Sequence, residues 1–146
     1  MNTRLIHQKV HRLTRFYKSR NPFEIIKGMN VILVYYPLDG VRGFYQYFQR
    51  NNIIYIDERL SDPEKKFVCA HELGHMLLHK KANFIFLDSR THLNTNMYES
   101  EADLFAMELL LPDETLKEYC SFTIEQIARI TGYHHNLIKL RMQQLN

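Results

Sequence analysis

A chain of 146 residues can bury the core of one domain, and two compact domains would be cramped. With 45% apolar and 24% charged residues it has the balance of an ordinary soluble globular protein, and no stretch approaches 18 apolar residues, which excludes a membrane-crossing helix. A net charge of +3 is too small to assign a partner: the basic residues between Arg4 and Lys27 read as the solvated side of helices before they read as a nucleic-acid patch.

Cys69 and Cys120 are too few for a disulfide framework. The start, Met1-Asn2-Thr3-Arg4, lacks the apolar stretch of a secretory leader, so the expected location is the reducing cytoplasm. Cys69 lies two residues before His71 and points to another side of its helix, which makes it a poor metal ligand.

In chain order, Leu5, Ile6, Val10, Leu13, Phe16 and Tyr17 recur at helical spacing and predict a helix over residues 3–19. Asn21-Pro22 opens a short second helix, which ends at Gly28. Val31 to Tyr36 is strand material, closed by Pro37 and the Asp39-Gly40 turn. Phe44–Phe48 and Ile53–Ile56 read as a hairpin around Arg50-Asn51-Asn52, giving three strands, enough for a small sheet. Ser61-Asp62-Pro63-Glu64 is a capping box that starts a helix running to about Lys80. Phe84–Leu87 suggests a short strand and Asp88–Asn94 a loop. A helix over 97–111, capped by Thr95 or Asn96, stops before Pro112. Asp113–Tyr119 suits a short surface helix. Two helical runs, Thr123–Ile130 and His134–Leu145, are split by Thr131-Gly132-Tyr133.

The chemistry lies in His71-Glu72-Leu73-Gly74-His75. Two histidines four residues apart project from one face of a helix and can share a zinc ion, while Glu72 beside them can act as general base on a water held by that ion. His79 continues the same helix. It stands about 12 Å from His71 along the axis, too far for one ion to touch both, so it reads as a supporting residue. A third ligand must come from elsewhere, and Glu99, Glu101 and Asp103 compete. Tyr98, Ala102, Phe105 and Leu109 form the inward stripe of the 97–111 helix, and Glu101 belongs to it. A carboxylate buried there without a partner is costly, and coordination removes the cost. The expected metal ligands are therefore His71, His75 and Glu101.

These residues carry a family resemblance. His71 to His79, followed by Glu99-Ser100-Glu101-Ala102-Asp103-Leu104-Phe105-Ala106 and Leu109-Leu110-Leu111-Pro112, resembles the ImmA/IrrE metallopeptidases, and Asn21-Pro22-Phe23 resembles an Asn-Pro element near the start of family members. The resemblance covers most of residues 5–145. It implies an α+β, zincin-like fold, with a small three-stranded, mainly antiparallel sheet packed against the HExxH helix. It also implies zinc on His71, His75 and Glu101, with Glu72 as base. The small phage and mobile-element members imply a role as anti-repressor, cleaving the helix-turn-helix repressor that keeps the element silent. In the thermolysin-like clan an acid follows the third ligand by four places and supports a histidine. Counted from Glu101, that place is Phe105, so another acid, Glu99 or Asp103, is expected to hold a histidine Nδ1–H.

The expected protein is thus a monomeric, cytoplasmic zinc endopeptidase with a protein substrate, no membrane association and no specific nucleic acid. Tyr98, Tyr47, His92 and His79 are candidate donors to the developing oxyanion. The substrate is expected to lie extended along an edge of the 31–56 sheet. Two other readings compete. Residues 123–145 resemble a helix-turn-helix, and Lys139 and Arg141 could face phosphates, giving a DNA- or protein-binding module. Two helices alone do not make such a domain, and Leu137, Ile138, Leu140 and Leu145 favour packing on the core. The other reading is a toxin–antitoxin partner with a structural metal site.

Overall fold

The computed structural model describes residues 1–79 and 92–145, with side chains except at 92–96. Helices α1 (Thr3–Tyr17) and α2 (Pro22–Gly28) open the chain. Asn2 and Asn21 cap them, accepting from the backbone N–H of Leu5 and Phe23, and left-handed Lys18 stops the first. Strands β1 (Ile32–Tyr36), β2 (Gly43–Phe48) and β3 (Asn51–Asp57) follow. Then come α3 (Asp62–Leu78), α4 (His92–Leu110), α5 (Asp113–Glu118), α6 (Ile124–Thr131) and α7 (His135–Met142).

The sheet order is β1-β3-β2, parallel between β1 and β3 and antiparallel between β3 and β2. The sheet is therefore mixed, where a mainly antiparallel one was expected. Residues 37–42 lead from β1 to the far edge of the sheet, and the hairpin returns β3 between β1 and β2. The hairpin turn is shorter than Arg50-Asn51-Asn52: Gln49 and Arg50 alone turn it, both at positive φ, and Asn51 already starts β3. Two successive left-handed residues match the twist of the flanking strands, which is why this turn closes the hairpin without glycine. Helix α4 begins at His92, inside the loop expected over Asp88–Asn94, so the cap expected at Thr95 or Asn96 is not used. The strand expected at Phe84–Leu87 lies outside the described residues.

Helix α3 sits at the centre. Its Ser61–Glu64 capping box forms as expected, and Phe67, Val68, Cys69, Ala70, Leu73 and Met76 are buried. One side meets the sheet at Gly43, where a Cβ would overlap Val68 Cγ1 and stand 2.6 Å from the Tyr55 carbonyl oxygen. The other meets α4 at Gly74, where a Cβ would lie 3.0 Å from a Phe105 ring carbon. Both glycines act by absence of a side chain, letting the backbones approach.

The end of α4 is anchored by arginines. Arg20 donates to the carbonyls of Glu108 and Leu109, and Arg141 to that of Leu111, occupying acceptors that a helix terminus leaves open. Arg141 also pairs with Asp113 at 2.5 Å. Ile127, Tyr133 and Ile138, from the C-terminal pair, are buried in the same core as α3 and α4.

Gly43→Ala should destabilise the fold by about 1–3 kcal/mol, because neither the Tyr55 carbonyl nor the packed Val68 can yield freely. Urea unfolding measures this, and an unchanged midpoint would show that β2 does not approach α3 so closely.

Candidate metal centre

His71 and His75 stand one turn apart on α3, and their Nε2 atoms converge to 3.1 Å. From α4, Glu99 turns its two carboxylate oxygens onto them, Oε2 at 3.1 Å from His71 Nε2 and Oε1 at 2.9 Å from His75 Nε2. These three side chains form the metal-capable cluster found among the described residues.

The outer nitrogens are also held. His71 Nδ1 lies 2.8 Å from Asp103 Oδ1, and a carboxylate there requires the imidazole to donate. His75 Nδ1 lies 3.1 Å from His79 Nδ1. In neutral imidazoles with the proton on Nδ1, both Nε2 atoms would present lone pairs, pointing at one another and at a carboxylate. Three lone-pair donors converging in this way repel unless a cation lies between them. Ligands of a tetrahedral zinc at about 2.0–2.1 Å stand about 3.3 Å apart. The spacings here are a few tenths shorter, so the donor set fits a small divalent ion after a slight opening.

The charges respond to the same convergence. Burial opposes protonation of His71, but its hydrogen bonds to Asp103 and Glu99 outweigh that and push its pKa up to about 10. Burial raises the pKa of Glu99 too, and is overcome by the hydrogen bonds to His71 and His75, which hold the carboxyl well below its usual range. A proton thus serves where a metal would. Glu72 is buried beside the cluster, and burial raises its pKa, partly offset by the charges of His71 and His75.

The cleft over these residues has a volume of about 440 Å³ and is walled by Arg42, Gly43, Phe44 and Tyr45 of the β2 side and by Phe67 and Val68 of α3. Glu72, His71, His75 and Glu99 form its floor.

The carboxylate facing the histidine pair is thus Glu99 and not Glu101. Glu101 does lie inward, as its stripe predicts, but its Oε1 sits 3.3 Å from His79 Nε2. The side chain of Glu99 is 46% exposed, open to the cleft. A metal site open to substrate must border solvent, so a carboxylate on the flank of the apolar stripe is placed for such a site and one inside the stripe is not. Asp103 is the acid holding a histidine Nδ1–H, and it follows Glu99 by four places. The signal was present: the four-residue spacing falls on Phe105 when counted from Glu101, but on Asp103 when counted from Glu99. Of the candidate oxyanion donors, Tyr98 lies against the His79 ring at 4.5 Å and Tyr47 is largely exposed. The side chain of His92 lies outside the described residues.

A helix carrying HExxH, backed by a small mixed sheet and faced by a carboxylate from a second helix, defines a zincin-type metallopeptidase architecture. The chain belongs to the ImmA/IrrE family of metallopeptidases: residues 27–130 match the family model described as IrrE N-terminal-like domain. It is 41% identical over 140 residues to "Uncharacterized immunity region protein 2" of Bacillus phage phi105, covering 94% of this chain and 89% of that one. It is 32% identical over 129 residues to "Metallopeptidase ImmA" of Bacillus subtilis (strain 168), covering 84% of this chain and 75% of that one.

Metal content should separate the acids. Glu99→Gln is expected to lose bound zinc on dialysis, while Glu101→Gln retains near one equivalent. Zinc retained by the first and lost by the second would return the ligand role to Glu101.

Acid should also weaken binding. With the His71 pKa near 10, the metal-free protein carries a proton there at neutral pH, and an incoming ion must displace it. Affinity should therefore rise with pH by about tenfold per unit for each proton displaced, through the neutral range and up to the His71 pKa. Chelator competition at several pH values measures this slope, and a flat profile between pH 6 and 8 would show that the metal-free protein holds no displaceable proton on His71 there.

Proposed function

We propose that this protein is a zinc endopeptidase that hydrolyses a peptide bond in a helix-turn-helix repressor, with His71, His75 and Glu99 holding the ion and Glu72 acting as general base. The observation that carries the reading is the convergence of three lone-pair donors at the floor of an open cleft, with a buried carboxyl beside them.

Bound zinc would supply Lewis acidity, polarising the scissile carbonyl and lowering the pKa of the attacking water. The protein supplies the rest. Glu72 accepts the proton as water attacks and passes it to the leaving amine. A carboxyl whose pKa burial raises is suited to both halves of that transfer. Asp103 keeps His71 turned so that Nε2 faces the cleft. Strand β2 is an edge of the sheet, and among the described residues no strand pairs with its outer side. An extended peptide can add there, beside Gly43, Phe44 and Tyr45, and so pass over the floor of the cleft.

The repressor as substrate is supported by the relative from a phage immunity region and by the relative named a metallopeptidase. Every residue of the cluster comes from one chain, so a monomer is sufficient for the chemistry. Among the described residues no helix is long and apolar enough to cross a membrane. Action on a DNA-binding repressor would place the protein in the cytoplasm, where such a substrate resides. The C-terminal pair is proposed to serve this body and not DNA: Ile127 and Ile138 are spent on the core, and Arg141 is 3% exposed.

Glu72→Gln should keep zinc and fold while losing about 10²–10⁴-fold in cleavage rate, because the amide keeps the shape but cannot take the proton. Cleavage of a repressor encoded beside the gene, with metal measured on the same samples, is the test. Cleavage at the unmodified rate would remove Glu72 from the mechanism.

The C-terminal pair should add at most weak, salt-sensitive DNA binding. A titration at physiological salt checks this, and sequence-specific binding there would favour the DNA-module reading.

A further inference from the structure

We propose that His79 and Glu101 form a positioning couple that fixes the tautomer and direction of His75, an imidazole-to-carboxylate relay in which Glu101 acts on the metal centre without touching the ion. The inference rests on the metal-site reading above and concerns what stands behind it.

The geometry is a chain of three groups. His75 Nδ1 is 3.1 Å from His79 Nδ1, and His79 Nε2 is 3.3 Å from Glu101 Oε1. Neither end leaves the protons free to choose. If His75 offers its Nε2 lone pair to the ion, its proton sits on Nδ1 and must be donated outward. His79 Nδ1 is then the acceptor, so His79 carries its proton on Nε2. That N–H points at the Glu101 carboxylate, which can only accept while ionised. The reverse arrangement would place a proton on His75 Nε2, inside the donor cluster, and close the site to a cation. One set of protons is thus consistent with an open metal site, and Glu101 selects it.

The parts are held for this. His79 ends α3 as its C-cap, and its backbone N–H still bonds the His75 carbonyl at 2.8 Å. Its ring lies 4.5 Å from that of Tyr98, one turn before Glu101 on α4, and its side chain is 4% exposed. Helix α4 therefore serves the two histidines from two sides. Asp103 supports His71 directly, and Glu101, turned toward His79, supports His75 through an inserted imidazole. The acid at 101 stands outside the His71, His75 and Glu99 cluster and within hydrogen-bond reach of His79.

The test measures zinc affinity by chelator competition in the full chain, for the unmodified protein and for Glu99→Gln, His79→Leu, His79→Asn and Glu101→Gln, with folding followed by circular dichroism. His79→Leu should weaken zinc about 10–100-fold, the range for loss of a group that orients a ligand histidine. His79→Asn keeps an acceptor near the Nδ1 position and should restore most of that loss. Glu101→Gln keeps a hydrogen-bond acceptor but not the charge, and should fall between. Rescue by asparagine separates positioning from mere filling of space, which leucine serves as well. Long-range ¹H–¹⁵N spectra of the zinc-loaded unmodified protein give a second readout independent of any variant's folding, and His79 should appear as the Nε2–H tautomer. A His79 proton on Nδ1, or unchanged affinity in His79→Leu while Glu99→Gln loses zinc, overturns the relay alone. Absence of zinc binding by the unmodified protein, or full affinity in Glu99→Gln, overturns the metal-site reading on which it rests.

Discussion

The close approach of α3 and α4 at Gly74 and Phe105 is the constraint from which the site follows. With no side chain at Gly74, the Phe105 ring lies directly against the α3 backbone, and its shape sets the separation of the two helices. At that separation the carboxylates of α4 reach the imidazoles of α3 within hydrogen-bond distance. A larger residue at 74 would push α4 outward, and Glu99, Asp103 and Glu101 would withdraw together. Histidines in the HExxH helix acquire their orientation only because an opposing helix is near enough to hold it.

The three acids divide the work by their angle around α4. Glu99 faces the cleft, Asp103 lies one turn on and faces the outer nitrogen of His71, and Glu101 faces away toward His79. A helix turns about 100° per residue, so acids two apart point to widely different sides, and acids four apart share one. One helix can in this way supply a proposed ligand and the support for both histidines. The pull of the carboxylates is also what makes the cluster basic toward protons when no ion is bound.

The remaining elements frame this pair of helices. The β2 edge forms one wall of the cleft, and it comes close to α3 only because Gly43 carries no side chain. The hairpin places β3 in the middle of the sheet and leaves β2 outermost, next to the chemistry, where a peptide backbone can pair. Behind the site, Arg20 and Arg141 close the end of α4 from opposite ends of the chain, so the link between the first two helices and the last helix together fix the helix that carries the acids. Residues 123–145 look like a helix-turn-helix and still bury Ile127, Tyr133 and Ile138 in this core, because the turn, cap and apolar spacing of two short helices are the same whichever surface covers them.

The sequence by itself determined what depends on local spacing. The capping box at Ser61, the stop at Pro112 and the pairing of His71 with His75 on one face follow from periods and caps that act within a few residues. So does the inward position of Glu101. Tertiary structure decided what depends on the angle and depth at which elements meet. The stripe of Tyr98, Ala102, Phe105 and Leu109 locates the core side of α4, but it does not say where along that face the core ends and the cleft begins. Glu99 lies at that border and Glu101 inside it, so the facing carboxylate could be distinguished only once α3 was in place. The parallel pairing of β1 with β3 was decided in the same way, because strand alternation reports which face is buried and carries no information on which neighbour is chosen.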